Sequence, residues 1–372
     1  MIMAMTAEAN AGTWASQPPQ RVVSTHINLH GRLLPVREVV RARTPFYSLI
    51  RLVRPGCGSA PRVLVIAPLS GVRPQLLHDM LMGLLDDFDV HVLTWTDPTE
   101  IAAESGAFRL EDNITAVVDS LQVLGPGTHL IALCQSGLPA LAAAAVLAAS
   151  ADDARPVSLT LLGAKLDIRL NPSRIDLLIL GHHPDWFEAN VLSMVPEAFA
   201  GAGRSVYAAS LQETMLLAYL GRHVIERGEL FQKLMVDDGR DPKGHPFLEA
   251  LLSPVAVPGE FFLDTIETVF HACTLATGHL RWRGLPVDPS TITEMGLFTI
   301  EGEQDDIAAP GQTEIAHSLC SSIRAADRNH LRQDGIGHFG LFHGHSWRTA
   351  ILPAIRAFIR EREAQGRIGI YC

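Results

Sequence analysis

Four short runs rich in Val, Leu and Ile recur between residues 62 and 164, and helix-length segments separate them. They read RVLVIAP (62–68), DVHVLTW (89–95), THLIAL (128–133) and SLTLLGA (158–164). A continuous apolar run of that length fits a strand buried on both faces. The intervening LLHDMLMGLLDD, EDNITAVVDSLQVLG and LPALAAAAVLAAS fit helices of 10 to 15 residues. The second of these has acidic residues at its start and Gly125 after its end. Strands that alternate with helices must pair in parallel, because the helices serve as crossovers. The pattern therefore predicts a doubly wound α/β sheet.

The alternation stops at about residue 170 and resumes at LFTIEG (297–302). A helix around TEIAHSLCSSI, a strand near NHLRQ and a final helix, SWRTAILPAIRAFIRER, follow. Between lie apolar, helix-like pieces: WFEANVLSMV, YAASLQETMLLAYL, GELFQKLM and FFLDTIETVFHACTLA. We expect a core of residues 21–169 and 286–372 with a helical cap inserted at 170–285. Residues 1–20, rich in Ala, Thr, Gln and Pro, are expected to form a loose tail. The region 22–55 admits either leading strands or a helix.

Composition narrows the function. At 372 residues, 47% hydrophobic and 19% charged, the chain can bury a sizeable core. Its net charge of -10 gives nothing to attract nucleic acid, which selects clustered Lys and Arg. Cys57, Cys134, Cys273, Cys320 and Cys372 form no CxxC pair, so neither zinc nor another cofactor is expected. Widely spaced cysteines in odd number fit free thiols in a reducing compartment. The start lacks a basic n-region followed by an apolar core. The most apolar stretch, about 13 residues, is too short to span a bilayer. A cytoplasmic protein without a membrane span is expected.

The turn ALCQSG (132–137) between a strand and an Ala-rich helix carries the first chemical signal. In α/β-hydrolases the nucleophile sits on a sharp strand-to-helix turn with small residues two positions to either side. Centred on Cys134, the small residues are Ala132 and Ser136; centred on Ser136, they would be Cys134 and Leu138, a poorer fit. A buried, inert cysteine is the plain alternative. The Gln135 amide at the helix start can steady an oxyanion. A second donor is expected in the loop APLSG (67–71), with the Leu69 amide first and Ser70 next; an ordinary turn there is equally consistent.

In this fold the acid and then the histidine follow the nucleophile along the chain. EGEQDDI (301–307) supplies Asp305, with Asp306 its rival and Glu301, Glu303 and Asp334 weaker candidates. DGIGHFG (334–340) places His338 between glycines. His343 and His345 lack a further ligand at metal spacing, and His182, His183 and His271 read as structural or surface residues.

These segments resemble the intracellular polyhydroxybutyrate depolymerases, α/β-hydrolases that use cysteine where most relatives use serine. The matching stretches include RVLVIAPLSG, DVHVLTWTD, LGPGTHLIALCQ, SLTLLGAKLDIRLNP, TIEGEQDDI and GIGHFGLFHGHSWR, and they span about residues 45–360. The resemblance implies Cys134, Asp305 and His338 as the triad. It implies a hydrophobic polyester or hydroxyacyl ester as substrate, and a polymer-granule surface as a further candidate partner. The chain departs from the family at Ser136, where proline is usual, and in LFHGHS, where the family carries Asn. An acyltransferase or thioesterase of the same fold, and a non-catalytic granule- or partner-binding protein, are the competing readings. In any of them Trp186, Phe187, Phe261, Phe262 and Phe270 either hold a hydrophobic chain or pack the cap.

Overall fold

The computed structural model describes residues 21–29, 31–71, 73–227 and 253–368. The expected tail and GELFQKLM lie outside them. The apolar runs become strands of one eight-stranded sheet: β1 (Arg37–Arg43), β2 (Tyr47–Val53), β3 (Arg62–Ile66), β4 (Asp89–Trp95), β5 (Thr128–Leu133), β6 (Ser158–Leu162), β7 (Gly296–Gly302) and β8 (Arg328–Gln333). Their spatial order is β8-β7-β6-β5-β3-β4-β2-β1. Strands β3 to β8 pair in parallel, while β2 runs antiparallel to both β4 and β1. This is the α/β-hydrolase fold. The leading region, left open by the sequence, forms β1, β2 and a hairpin of His26–Leu29 with Arg32–Pro35.

Residue alternation along each strand feeds two cores. Leu64, Ile66, Leu130, Ala132, Leu159 and Leu161 face helices α2 (Leu110–Leu124) and α3 (Gly137–Ala149). Val63, Val65, Val90, Val92, Ile131 and Leu133 face the opposite side. There they meet α1 (His78–Leu84) and the final helix, α8 (Leu352–Ile368). Both faces are covered, which is why these strands read as unbroken apolar runs.

Between β6 and β7 the chain forms α4 (Arg174–Leu180), α5 (Pro184–Val191), α6 (Ala209–Arg227) and α7 (Gly259–Thr265). The segment also contains what periodicity did not signal. Leu192–Met194, Ser205–Tyr207 and Val257–Pro258 make a three-stranded sheet, and Arg281–Trp282 pairs with Leu285–Pro286. Two- and three-residue strands are too short to leave a period-2 pattern. The helix expected around TEIAHSLCSSI shrinks to Ala316–Leu319. Glu301 takes the N–H groups of Gly311, Thr313 and Glu314, holding the preceding backbone in turns. Among the described residues no helix is long and apolar enough to cross a membrane.

Candidate active site

Strand β5 ends at Leu133 in extended conformation, and the next residue, Cys134, turns to φ 54°. A left-handed non-glycine residue costs ~1–2 kcal/mol, so its surroundings must impose it. They do so through Ser136 and Gly137. The buried Ser136 hydroxyl accepts Leu133 N–H at 3.0 Å and faces the carbonyls of Leu133 at 2.8 Å and Ile66 at 3.0 Å. A Cβ on Gly137 would fall 2.3 Å from Ala164 Cβ, so helix α3 can start here only with glycine. Ser136 is thus spent on the turn, while Cys134 stands at its strained apex, partly accessible.

The loop after β7 brings Asp305 to the same end of the sheet. Its Oδ1 accepts N–H groups of Ile307 at 2.9 Å and Ala308 at 2.8 Å, which fixes the carboxylate. Oδ2 lies 2.7 Å from His338 Nδ1, and both side chains are buried. With Nδ1 engaged, Nε2 is the nitrogen left for the Cys134 sulfur, and the two side chains hydrogen-bond. Asp305 rather than Asp306 therefore meets the imidazole. The weaker candidates have other work: Glu301 holds the turn described above, Glu303 accepts Gly335 N–H at 2.9 Å, and Asp334 is exposed.

Electrostatics favours an ion pair. Burial pushes the Cys134 thiol up, but the charge and hydrogen bond of His338, with the Gln135 N–H, outweigh it; the thiol ends below its ordinary range. Burial pulls His338 down, and Asp305 and the cysteine sulfur overcome this, leaving the imidazole well above its ordinary value. The contrast within the chain is direct. Burial outweighs the opposing charge of Arg328 and pushes Cys320 up to about 12, and burial raises Cys273 too.

The oxyanion candidates lie on the residue after Cys134 and on the loop after the neighbouring strand. The Gln135 N–H points at it. Strand β3 neighbours β5 with Ile66 opposite Ala132, so the loop from Ala67 starts beside Cys134. Trp95 Nε1 donates to the Ala67 carbonyl at 2.7 Å, and Leu69 is buried two residues on. Ser70 is exposed.

Other candidate groups have structural partners. His343 pairs with Asp79 at 3.0 Å, a carboxylate also held by Arg348. Ligand atoms of Glu301, Glu314 and His330 lie within 4.8 Å of one another, but both Glu301 oxygens already accept backbone N–H groups. His182 packs against Trp186, with ring centroids 4.2 Å apart and the planes tilted by 39°. Phe261 belongs to the main core, while Phe262 and Phe270 are only partly buried against it.

Sequence reasoning missed Gly163, the residue beneath the imidazole. At φ 52°, an added Cβ would come within 3.0 Å of His338 Cε1 and 2.8 Å of Leu341 Cδ1. A glycine directly after a buried strand is the signal that could have revealed it.

Comparisons with known proteins agree with this architecture. A family model described as PHB de-polymerase C-terminus matches residues 163–363, more than half of the chain. No curated protein matches the sequence. Among solved structures, a soluble variant of monoglyceride lipase from Saccharomyces cerevisiae, in complex with a substrate analog, is similar at 10% identity. The match covers 93% of this chain and 99% of that one, with a TM-score of 0.51. Hypothetical protein PA2218 from Pseudomonas aeruginosa is similar at 15% identity, covering 94% and 100%, with a TM-score of 0.50.

Proposed function

The chain belongs to the PHB depolymerase family and is an ester hydrolase; on that premise we propose that it cleaves polyhydroxybutyrate or related 3-hydroxyacyl ester oligomers through Cys134, His338 and Asp305. The observation that carries this reading is Cys134 at φ 54° on the strand-to-helix turn, bonded to a histidine that Asp305 holds at 2.7 Å.

In the resting state the proton sits on His338 and the sulfur is a thiolate. The thiolate attacks the ester carbonyl, and the carbonyl electrons move to oxygen, where the amides of Gln135 and Leu69 receive them. The tetrahedral species collapses, the carbon–oxygen bond to the alcohol breaks, and the departing alkoxide takes the His338 proton. An acyl-thioester on Cys134 remains. His338, now neutral at Nε2, takes a proton from water as the hydroxide attacks the thioester; the carbon–sulfur bond breaks and the ion pair is restored. Asp305 keeps the imidazole in the productive tautomer. Each oxyanion amide contributes ~10²–10³ in rate.

Segment 170–285 acts as the cap, with Phe262 and Phe270 as candidate apolar contacts for the acyl chain. The free thiols fit a reducing compartment, and we place the enzyme in the cytoplasm.

Cys134→Ala and Ser136→Ala, assayed on amorphous polyhydroxybutyrate and on short 3-hydroxyacyl esters, test the assignment. The first change should lower kcat on the order of 10⁵–10⁶-fold, and the wild type should release free hydroxy acid and carry a transient acyl mass on Cys134. Activity that survives in Cys134→Ala and disappears in Ser136→Ala would overturn it.

A further inference from the structure

The loop leaving β3 is held by the inserted segment at three points. The Gly71 carbonyl accepts Val255 N–H at 2.7 Å. Arg73 Nε donates to the Ser253 carbonyl at 2.7 Å. The third contact is the carboxamide of Gln212 on α6, which lies directly over Gly71. An ideal Cβ on Gly71 would fall 1.5 Å from Gln212 Oε1, and Gly71 adopts φ 80°. Nε2 of the same carboxamide donates to the carbonyls of Tyr207 at 3.0 Å and Val255 at 2.8 Å. Gln212 is 8% exposed. One buried amide therefore joins the strand Ser205–Tyr207, the chain at Val255 and the loop 67–71.

A buried carboxamide that gains two backbone acceptors has little freedom, since losing either bond leaves a polar group unpaired. The surface it presents to Gly71 fits only a residue without a side chain. The other end of the loop is fixed to the sheet by Trp95 on Ala67 and by Ala67 N–H on Leu93 at 3.0 Å. Leu69 lies between these two anchorages.

We propose that Gln212 is a positioning residue: it fixes loop 67–71 so that the Leu69 N–H stays aimed at the carbonyl above Cys134, and the oxyanion site is complete only while the inserted segment is seated. This rests on the assignment of Leu69 as an oxyanion donor and extends it to a residue of the inserted segment that acts through the loop. Gly71 is the glycine of that loop because Gln212 occupies the space a side chain would need.

Gln212→Glu keeps the size of the side chain but, ionised, has no proton for the carbonyls of Tyr207 and Val255. Esterase kinetics and alkylation of Cys134 by iodoacetamide are measured on the same protein. Alkylation displaces iodide at a saturated carbon and forms no oxyanion, so it reports the ion pair alone. The expected result is a kcat lower by about 10–100-fold, a KM little changed, and an alkylation rate and pH profile equal to wild type. An unchanged kcat overturns the inference; so does a joint fall of kcat and alkylation, which would mean general loosening. If Gln212→Glu does not fold, Arg73→Gln, which loosens the same loop from the Ser253 side, must give the same split or the inference fails. Cys134→Ala separates the two levels. Residual activity there removes the reading on which the inference depends, whereas loss of activity there with a wild-type kcat in Gln212→Glu removes the inference alone.

Discussion

Replacing Gly163 with alanine places one methyl group against the imidazole of His338. The added Cβ would lie 3.0 Å from Cε1, 3.1 Å from Nδ1 and 2.8 Å from Leu341 Cδ1. Leu341 is fully buried and has little room to yield. The ring must retreat by a few tenths of an ångström, yet Nδ1 is tied to Asp305 at 2.7 Å. The retreat is therefore taken up at Nε2, where the sulfur is. A misplacement of about 1 Å can cost ~10²-fold, so this smaller one should lower kcat by about 10-fold. The φ of 52° adds ~1–2 kcal/mol of backbone strain to the folded state. Ester hydrolysis, the rate of Cys134 alkylation at neutral pH and urea unfolding measure the three effects. Gly278→Ala is the control, since Gly278 has φ 74° but nothing within 4 Å of its added Cβ. It should lose stability and keep both rates. A folded Gly163→Ala protein with wild-type kcat and alkylation would refute the placement of the imidazole against Gly163.

The ion pair predicts a displaced pH profile. Because His338 holds the Cys134 thiol below its ordinary range, alkylation should stay fast at pH values where Cys273, raised by burial, is silent; it should decline only as pH falls through the depressed value. In His338→Ala the Gln135 N–H alone is left to oppose burial, so the midpoint should move upward, and a midpoint that does not move would remove the ion pair. For the acid, Asp305→Asn should lower kcat by ~10³–10⁴-fold through loss of the oriented tautomer, while Asp306→Asn leaves it within about twofold. Equal losses in steady-state assays would mean that the carboxylate facing His338 has been misassigned.

The sequence alone carried six of the eight strands and the order of the candidate catalytic residues on their loops. Buried parallel strands need unbroken apolar runs and the helices between them need a different period, so residues 62–164 and 297–333 carry their topology locally. The small residues around Cys134 follow from the crowding of its turn, and the order Cys134, Asp305, His338 from the fold itself. Tertiary structure decided what sequence could only narrow. Asp305 and Asp306 are adjacent and chemically identical; a loop closing across 33 residues brings one of them to the imidazole. Ser136 and Cys134 are both nucleophile types, and contacts with Leu133 and with the Ile66 carbonyl, 70 residues away in the chain, commit the serine to the turn. Gln212 left no signal in the sequence and Gly163 only its place directly after a buried strand, because what each does depends on distances to other elements. Periodicity and turn chemistry are local properties, whereas a reacting geometry of tenths of an ångström is set where distant segments meet.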